Sequence, residues 1–409
     1  MFSARAYRFR VYPDRKRSEE IDCMLILAQR LYNGILEKAK AGYEKDRNAR
    51  INESTLNGYM KETIANDKEL LKLYSQTRQD IFIRVLKAYQ NFFRRCKEKK
   101  QGKRMAAGFP RFKSRDRYRS LTYPQDNGAF TIEKNRLRVA RIGTMRIELH
   151  REMEGKIKTM MIKRDAGDYY AVFTTVRESA PNDMADTQPV GIDMGLDNFV
   201  ALSDGKTIKK PRFFKMRARR IARWQIIIAR RSKGSKRRDK AKLQLEEEWK
   251  NVTNQSNDFE HKLSTALVKS GYTSFAVEKL NVQDMMKNHN FAQSIQNASW
   301  NRFMQMLLYK AESAGMKFIE VNAANTTKTC SNCGNIQEMP LSTREYICSI
   351  CGLQIDRDIN ASINILKRGR AGLARTYAQG DSVRLQQGAT AKELRTYSVV
   401  DNRGGSPHL

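Results

Sequence analysis

Near the N-terminus, AYRFRVYP alternates: Tyr7, Phe9 and Val11 share one face and Arg8 and Arg10 the other, a period of two that predicts a strand. The period then lengthens. In EEIDCMLILAQRLYNGILEKAKAGYEK, Met24, Ala28, Leu31 and Ile35 recur at helical spacing. QDIFIRVLKAYQNFFRRCKEKK repeats the pattern and ends in a basic tail, so residues 14–105 read as an α-helical module. Gly and Pro break the pattern in QGKRMAAGFPRFKSRDRYRS, a basic loop. Period two returns in FTIEKNRLRVA, TMRIELH and TMMIKRDAGDYYAVFTTV, the last a hairpin turning at Asp165-Ala166-Gly167-Asp168. These strands predict a small β-barrel or sheet. The first strand is free to join it, which would make the helical module an insertion in a β domain.

ESAPNDMADTQP reads as a polar linker, and a new pattern follows it. PVGIDMGLDNFVALSDGKTI predicts two or three short strands with a turn at Asp204-Gly205. Residues 211–270 are helical and basic, broken near Lys233-Gly234-Ser235. SFAVEKL and KFIEVNA read as buried strands, and DINASINILKRG as a helix. From about residue 370 the chain lacks sustained apolar periodicity, and this tail is expected to be mobile. The fold class expected is α/β multidomain.

Charge changes the picture. The 409 residues carry 77 Lys and Arg against 44 Asp and Glu, a formal net charge of +33. Such an excess calls for a polyanion, and nucleic acid binds it through counterion release. No apolar run approaches a membrane span, since MLILAQRLY and WQIIIARR are short and charged. MFSARAYRFRVYPDRK has no apolar signal core, so a cytoplasmic location and no membrane partner are expected. The loop cations Arg111, Lys113, Arg117 and Arg119 lie among Phe109, Phe112 and Tyr118, a mix suited to phosphate contacts and base stacking. On the later helix pair the expected contacts are positions 218, 219 and 223; Arg219 and Arg223 are cationic, whereas position 218 is Ala218.

Two sets of residues carry candidate chemistry. Asp193 in VGIDMG and Glu278 in FAVEKL each end a short apolar run, where a carboxylate is costly unless a cation or donor meets it. If those strands are adjacent and parallel, both acids emerge at one edge, and Asp358, opening a helix in DRDINA, can join them. Three such carboxylates suit magnesium or manganese, and two ions about 4 Å apart could activate water for phosphodiester hydrolysis. Taken singly, Asp193 reads as a turn residue, Glu278 as a surface acid and Asp358 as a helix N-cap. Together they fit an RNase H-like order of strands and helices. Asp356 competes with Asp358; Asp197 and Asp204 read as turn formers. The second set is Cys330, Cys333, Cys348 and Cys351, two Cys-x-x-Cys pairs each followed by glycine, Gly334 and Gly352. Four thiolates without histidine suit a closed, structural zinc site. Cys23 and Cys96 stand alone in helical patterns and read as small buried apolar residues.

GIDMGLDNFVALSDG, FAVEKLNV and CSNCG…YICSICG leading into DRDINASINIL resemble, in order and spacing, the TnpB family of transposon-encoded RNA-guided nucleases related to type V CRISPR effectors. YRFRVYP and GFPRFKSRDRYRS are similar to TnpB segments as well, and the resemblance covers roughly residues 4–366. It implies a wedge-like β-barrel (1–13 and 106–186) interrupted by a helical recognition module (14–105). It further implies a RuvC nuclease domain (187–325 and 353–369) carrying a zinc ribbon (326–352), then a tail (370–409). Asp193, Glu278 and Asp358 match the family's catalytic acids. The partners implied are a guide RNA from the chain's own element and duplex target DNA with a short target-adjacent motif, bound by a monomeric ribonucleoprotein in a bacterial or archaeal cell. Ala323 and Asn325 stand where a more Pro- and aromatic-bearing stretch is expected. Two alternatives remain: an RNA-guided DNA-binding regulator that does not cut, which would need loss of an acid, and an RNase H-like transposase without RNA.

Overall fold

The computed structural model describes residues 2–46, 51–102, 106–125, 128–178, 187–195, 197–279, 299–322, 324–340 and 343–378. The chain divides into two compact units, Met1–Glu178 and Ser179–Leu409.

The first unit is built on an antiparallel sheet of seven strands: β1 (Phe2–Tyr12), β2 (Ser120–Tyr123), β3 (Phe130–Glu133), β4 (Arg136–Val139), β5 (Gly143–Glu148), β6 (Lys156–Asp165) and β7 (Asp168–Glu178). Their order is β2-β6-β7-β1-β5-β4-β3, so β1 is the central strand, and Phe9 faces Ala171 of β7. The sheet is a curled half-barrel: β2 and β3 end it and do not pair with each other. Ala166 and Gly167 close the β6–β7 hairpin, both at positive φ (48° and 80°), as a two-residue primed turn requires. Arg8 and Arg10, on the outer face of β1, reach Asp165 and Asp168 on either side of that turn.

Three helices, α1 (Arg15–Lys45), α2 (Glu53–Asn66) and α3 (Ser75–Lys100), lie in sequence between β1 and β2. Asp14 caps α1 by accepting the Arg17 N–H, and Asn52 caps α2 by accepting the Thr55 N–H. Their apolar stripes and the inner sheet face form one core that includes Phe9, Leu31, Ile35, Val85, Tyr89 and Phe173. Cys96 is half-buried against this core, but Cys23 is exposed on α1 rather than inside.

The second unit contains a five-stranded sheet of β8 (Pro189–Asp193), β9 (Val200–Leu202), β10 (Thr207–Ile208), β11 (Ser274–Glu278) and β12 (Lys317–Val321), in the order β10-β9-β8-β11-β12. β8, β11 and β12 are parallel and β9 and β10 antiparallel. Parallel strands covered by helices are expected to be apolar throughout, and Val190 to Asp193 are all buried. Helices α4 (Phe213–Arg230) and α5 (Lys236–Lys269) form the basic pair, and α6 (Trp300–Ser313) packs on α5. Glu260 of α5 is fully buried and meets Arg302 of α6 at 2.6 and 2.9 Å, Lys210 at 2.6 Å and Ser256 at 2.9 Å, so its charge is satisfied inside the fold.

The strands β13 (Glu345–Ile347) and β14 (Gln354–Asp356) form a small hairpin that carries the second cysteine pair. β14 runs directly into α7 (Arg357–Ala378). α7 therefore extends past residue 370, where a tail was expected; residues 379–409 lie outside the described residues. α7 packs on β8, β11 and β12, and two glycines permit the approach. A Cβ on Gly191 would come within 2.0 Å of the Ser362 carbonyl oxygen, and one on Gly369 within 2.7 Å of Ala276 Cβ.

Candidate functional site

In the register of the parallel pair, Val277 of β11 lies opposite Ile192 of β8, so Glu278 and Asp193 leave the same sheet edge side by side. The two carboxyl groups share a hydrogen bond. Asp193 is 6% exposed and Asp358, from the first turn of α7, is 7% exposed. Gly195 lets the Asn198 backbone approach: a Cβ there would stand 2.9 Å from the Asn198 carbonyl oxygen, and Asp358 Oδ2 lies at ordinary contact distance, 3.5 Å. Asn198 Nδ2 donates to the same oxygen at 3.1 Å.

Burial first, then the charges of Glu278 and Asp358, hold the Asp193 carboxyl well above the usual carboxylate range, while the Met194 backbone N–H opposes the shift. Burial also raises Glu278, against the hydrogen bond from Asp193 and the Arg368 guanidinium. Two acids this close share a proton when no cation is present, and a divalent cation would take the proton's place. The donor set, all carboxylate oxygens, fits magnesium or manganese rather than zinc. Among the described residues the three acids are less compact than the cysteine cluster, the one group there whose ligand atoms all lie within 4.8 Å.

The neighbouring acids have other partners. Asp356 Oδ1 accepts the N–H groups of Asp358 at 2.9 Å and Ile359 at 3.1 Å, the work of an N-cap. Asp204 accepts from Lys206 and from the Tyr272 hydroxyl at the β9–β10 turn. Asp197 pairs with Arg344. Two polar residues of the site escape a reading of the sequence. Asn198, five residues beyond Asp193, carried a weak signal as a polar residue just before a buried run. Arg368 carried none, because its approach to Glu278 depends on how α7 crosses the sheet.

The four cysteines converge. Cys330 Sγ lies 3.6 Å from Cys351 Sγ, and Cys333 Sγ 3.5 Å from Cys348 Sγ. Tetrahedral zinc with Zn–S about 2.3 Å places its sulfurs about 3.8 Å apart, so the spacing fits that ion. Each pair sits on a matching turn: the Gly334 N–H donates to the Cys330 carbonyl and the Gly352 N–H to the Cys348 carbonyl, both at 3.0 Å. Gly334 and Gly352 have φ of 80° and 70°, which their lack of a side chain allows. The Cys351 backbone N–H pulls the Cys348 thiol down to about 6. The Asn335 N–H favours the Cys333 thiolate, but burial and hydrogen bonds with the other three cysteines push it up to about 12. The cluster thus holds protons that a cation would displace.

The basic loop is only partly available to a ligand. Arg111, Lys113, Arg117 and Phe112 are exposed. Phe109 instead stacks on Phe92 (centroids 4.5 Å apart), Tyr118 is buried beside Arg84, and Arg119 is half-buried with its Nε on the Asp116 carbonyl. Of the three aromatic residues, Phe112 and Phe109 keep exposed surface, whereas Tyr118 is buried and offers no face for a base. The Lys113 backbone is stapled to α1, its N–H donating to Asn33 Oδ1 at 2.9 Å and its carbonyl accepting from Asn33 and Gln29. On α4, Arg219 and Arg223 are exposed, whereas position 218 is Ala218 and offers no charge.

Comparison with known proteins decides the family. A protein of Streptomyces pristinaespiralis described as a candidate RNA-guided DNA endonuclease is 32% identical over 393 residues, 94% of this chain and 92% of its own length. The chain belongs to the TnpB family. InsQ of Escherichia coli, with the same description, is 27% identical over 73% of this chain and 76% of its own length. Two family models match: the TNB domain of Cas12f1-like proteins over residues 300–365, which contains the four cysteines and Asp358, and OrfB of IS605, described as “Probable transposase”, over residues 171–289, which contains Asp193 and Glu278. Among solved structures, the Cas12f1 chain of a complex with sgRNA and target DNA covers 89% of this TnpB-family chain and 98% of its own length, with a TM-score of 0.53 at 13% identity. At that identity the likeness is one of fold.

Proposed function

We propose that this chain is an RNA-guided double-stranded DNA endonuclease of an insertion sequence. The observation that carries the reading is the meeting of Asp193, Glu278 and Asp358 at the end of two parallel strands, in a chain of net charge +33 whose relatives are described as RNA-guided DNA endonucleases. In this reading residues 187–325 and 353–369 are an RNase H-like RuvC domain and residues 326–352 a zinc ribbon. Residues 14–105 and the wedge-like sheet in which they are set together read the target-adjacent motif.

Asp193, Glu278 and Asp358 would hold magnesium or manganese, which supplies a water of lowered pKa and charge for the leaving oxygen. The protein's part is to fix the acids. Adjacent strands set Asp193 and Glu278, Asn198 holds one oxygen of Asp358, and the Arg368 guanidinium offsets the charge of Glu278. Guide–target pairing would supply sequence recognition, with the exposed cations Arg111, Lys113, Arg117, Arg219 and Arg223 meeting phosphates. The zinc site has four protein ligands and no open position, so its role is structural.

The test is to purify the chain from cells that carry its own element and to sequence the bound RNA. One discrete RNA ending in sequence from the element's border is expected; absence of any discrete RNA would contradict the guided reading and favour a transposase acting alone.

A further inference from the structure

α7 is held from two sides. Asp358, Ser362, Ile365 and Gly369 recur at helical spacing on one stripe, and this stripe meets the five-stranded sheet at Gly191, Ala276 and Val321. Asn360, Asn364 and Lys367 form a second stripe, turned by more than a third of a revolution, and it meets the first cysteine turn. Asn360 is fully buried; its Oδ1 accepts the Ser331 N–H at 2.8 Å and its Nδ2 donates to the Thr329 carbonyl at 2.8 Å. Asn364, 5% exposed, donates to the carbonyls of Thr326 at 3.0 Å and Thr329 at 2.6 Å. Lys367 donates to the Ser331 carbonyl. These partners flank Cys330. On the other cysteine pair, β14 leads without a loop into the Asp356 cap, and the Arg357 N–H donates to the Arg344 carbonyl at 2.8 Å.

We infer that Asn360 and Asn364 are positioning residues that make the four-cysteine module set the place of Asp358. The side chains present three carbonyl contacts and one N–H contact to a segment otherwise held by backbone turns and a single bridge, Thr329 to Ile336. Backbone groups buried there depend on them, and a buried amide makes such contacts only when the segment keeps one conformation. Filling the thiol site fixes residues 329–333. The asparagines pass that order to α7, and α7 carries Asp358 at its first turn. The two metal sites are therefore coupled: loading the thiols tightens the carboxylates' grip on a divalent cation, and the reverse holds by linkage. The inference rests on the proposed carboxylate metal site.

The experiment reads Mn2+ binding directly, by loss of the free Mn2+ electron paramagnetic resonance signal, on the zinc-loaded full chain. Asn360→Ala and Asn364→Ala are expected to weaken Mn2+ binding about tenfold or more, the range usual for groups that orient metal ligands, while zinc stays at one per chain. Lys367→Met, which removes a single part-buried contact, is expected to weaken it about twofold to threefold and keeps the test open if an asparagine variant does not fold. Removal of zinc from the wild type by a chelator should weaken Mn2+ binding as the asparagine variants do. Wild-type Mn2+ affinity in folded Asn360→Ala, or in the zinc-free wild type, overturns the coupling. An Asp193→Asn control separates the two failures: if it binds Mn2+ as the wild type does, the carboxylate site itself is refuted.

Discussion

At the scale of single residues, the buried acids make opposing demands on stability and function. The folded value of Asp193 lies above its unfolded one, so its contribution to stability is present at low pH and is lost as the pH rises through the raised value. Near pH 8 the metal-free protein should thus be relieved by removing the charge. Asp193→Asn is expected to raise the melting temperature without metal by about 2–4 °C, the equivalent of about 1 kcal/mol in a unit of this size. The gain should shrink towards pH 5, and magnesium should raise the melting temperature of the wild type only; thermal shift at both pH values with and without metal checks all three. Asp356 and Asp358 should separate cleanly. Asp358→Ala is expected to abolish cleavage, whereas Asp356→Ala loses a cap worth about 1 kcal/mol and keeps the carboxylate set. Comparing melting temperature with cleavage rate for the pair distinguishes these roles. In the sequence Asp358 is favoured as the acid that opens the helix and Asp356 is its close competitor; the hydrogen bonds from the Asp358 and Ile359 N–H groups to Asp356 mark Asp356 as the cap.

At the scale of elements, the strongly periodic segments were legible. AYRFRVY and TMMIKRD–DYYAVFTTV pair residue by residue as β1, β6 and β7, and the two apolar runs ending in acids are the parallel strands β8 and β11. Local pattern could not reveal contacts made by chain segments far apart. Tyr118, expected to stack on bases, is buried beside Arg84, and Cys23, expected inside, is exposed. The glycine at 191 gave no sign in sequence of the helix that crosses it. Gly191→Ala places a methyl group 2.0 Å from the Ser362 carbonyl, so α7 must move. It is expected to cost about 1–3 kcal/mol, as overpacking does, and to lower cleavage by more than the loss of folded protein explains. Denaturant melts beside cleavage rates check this. For the cysteine hairpin, Cys348→Ser should lose zinc and melt the module around Tyr346, which a zinc assay and hydrogen exchange over residues 326–356 would register.

At the scale of the whole molecule, charge is the dominant property. A net +33 should make RNA affinity fall steeply with salt, with log affinity linear in log salt concentration at a slope close to the number of phosphates neutralised. Among the described residues no helix is long and apolar enough to cross a membrane. The reduction of Arg219→Ala plus Arg223→Ala in that slope, by about 1–2, would place α4 on nucleic acid; an unchanged slope would make it a solvated face. The central claim joins this cationic surface to the buried acids, and a single assay tests it: incubation of the purified ribonucleoprotein, in magnesium, with a duplex that matches its bound RNA. The expected result is cleavage of both strands by the wild type and none by Asp193→Ala with equal RNA and DNA binding. Intact duplex with both proteins, or equal cleavage by both, would contradict it.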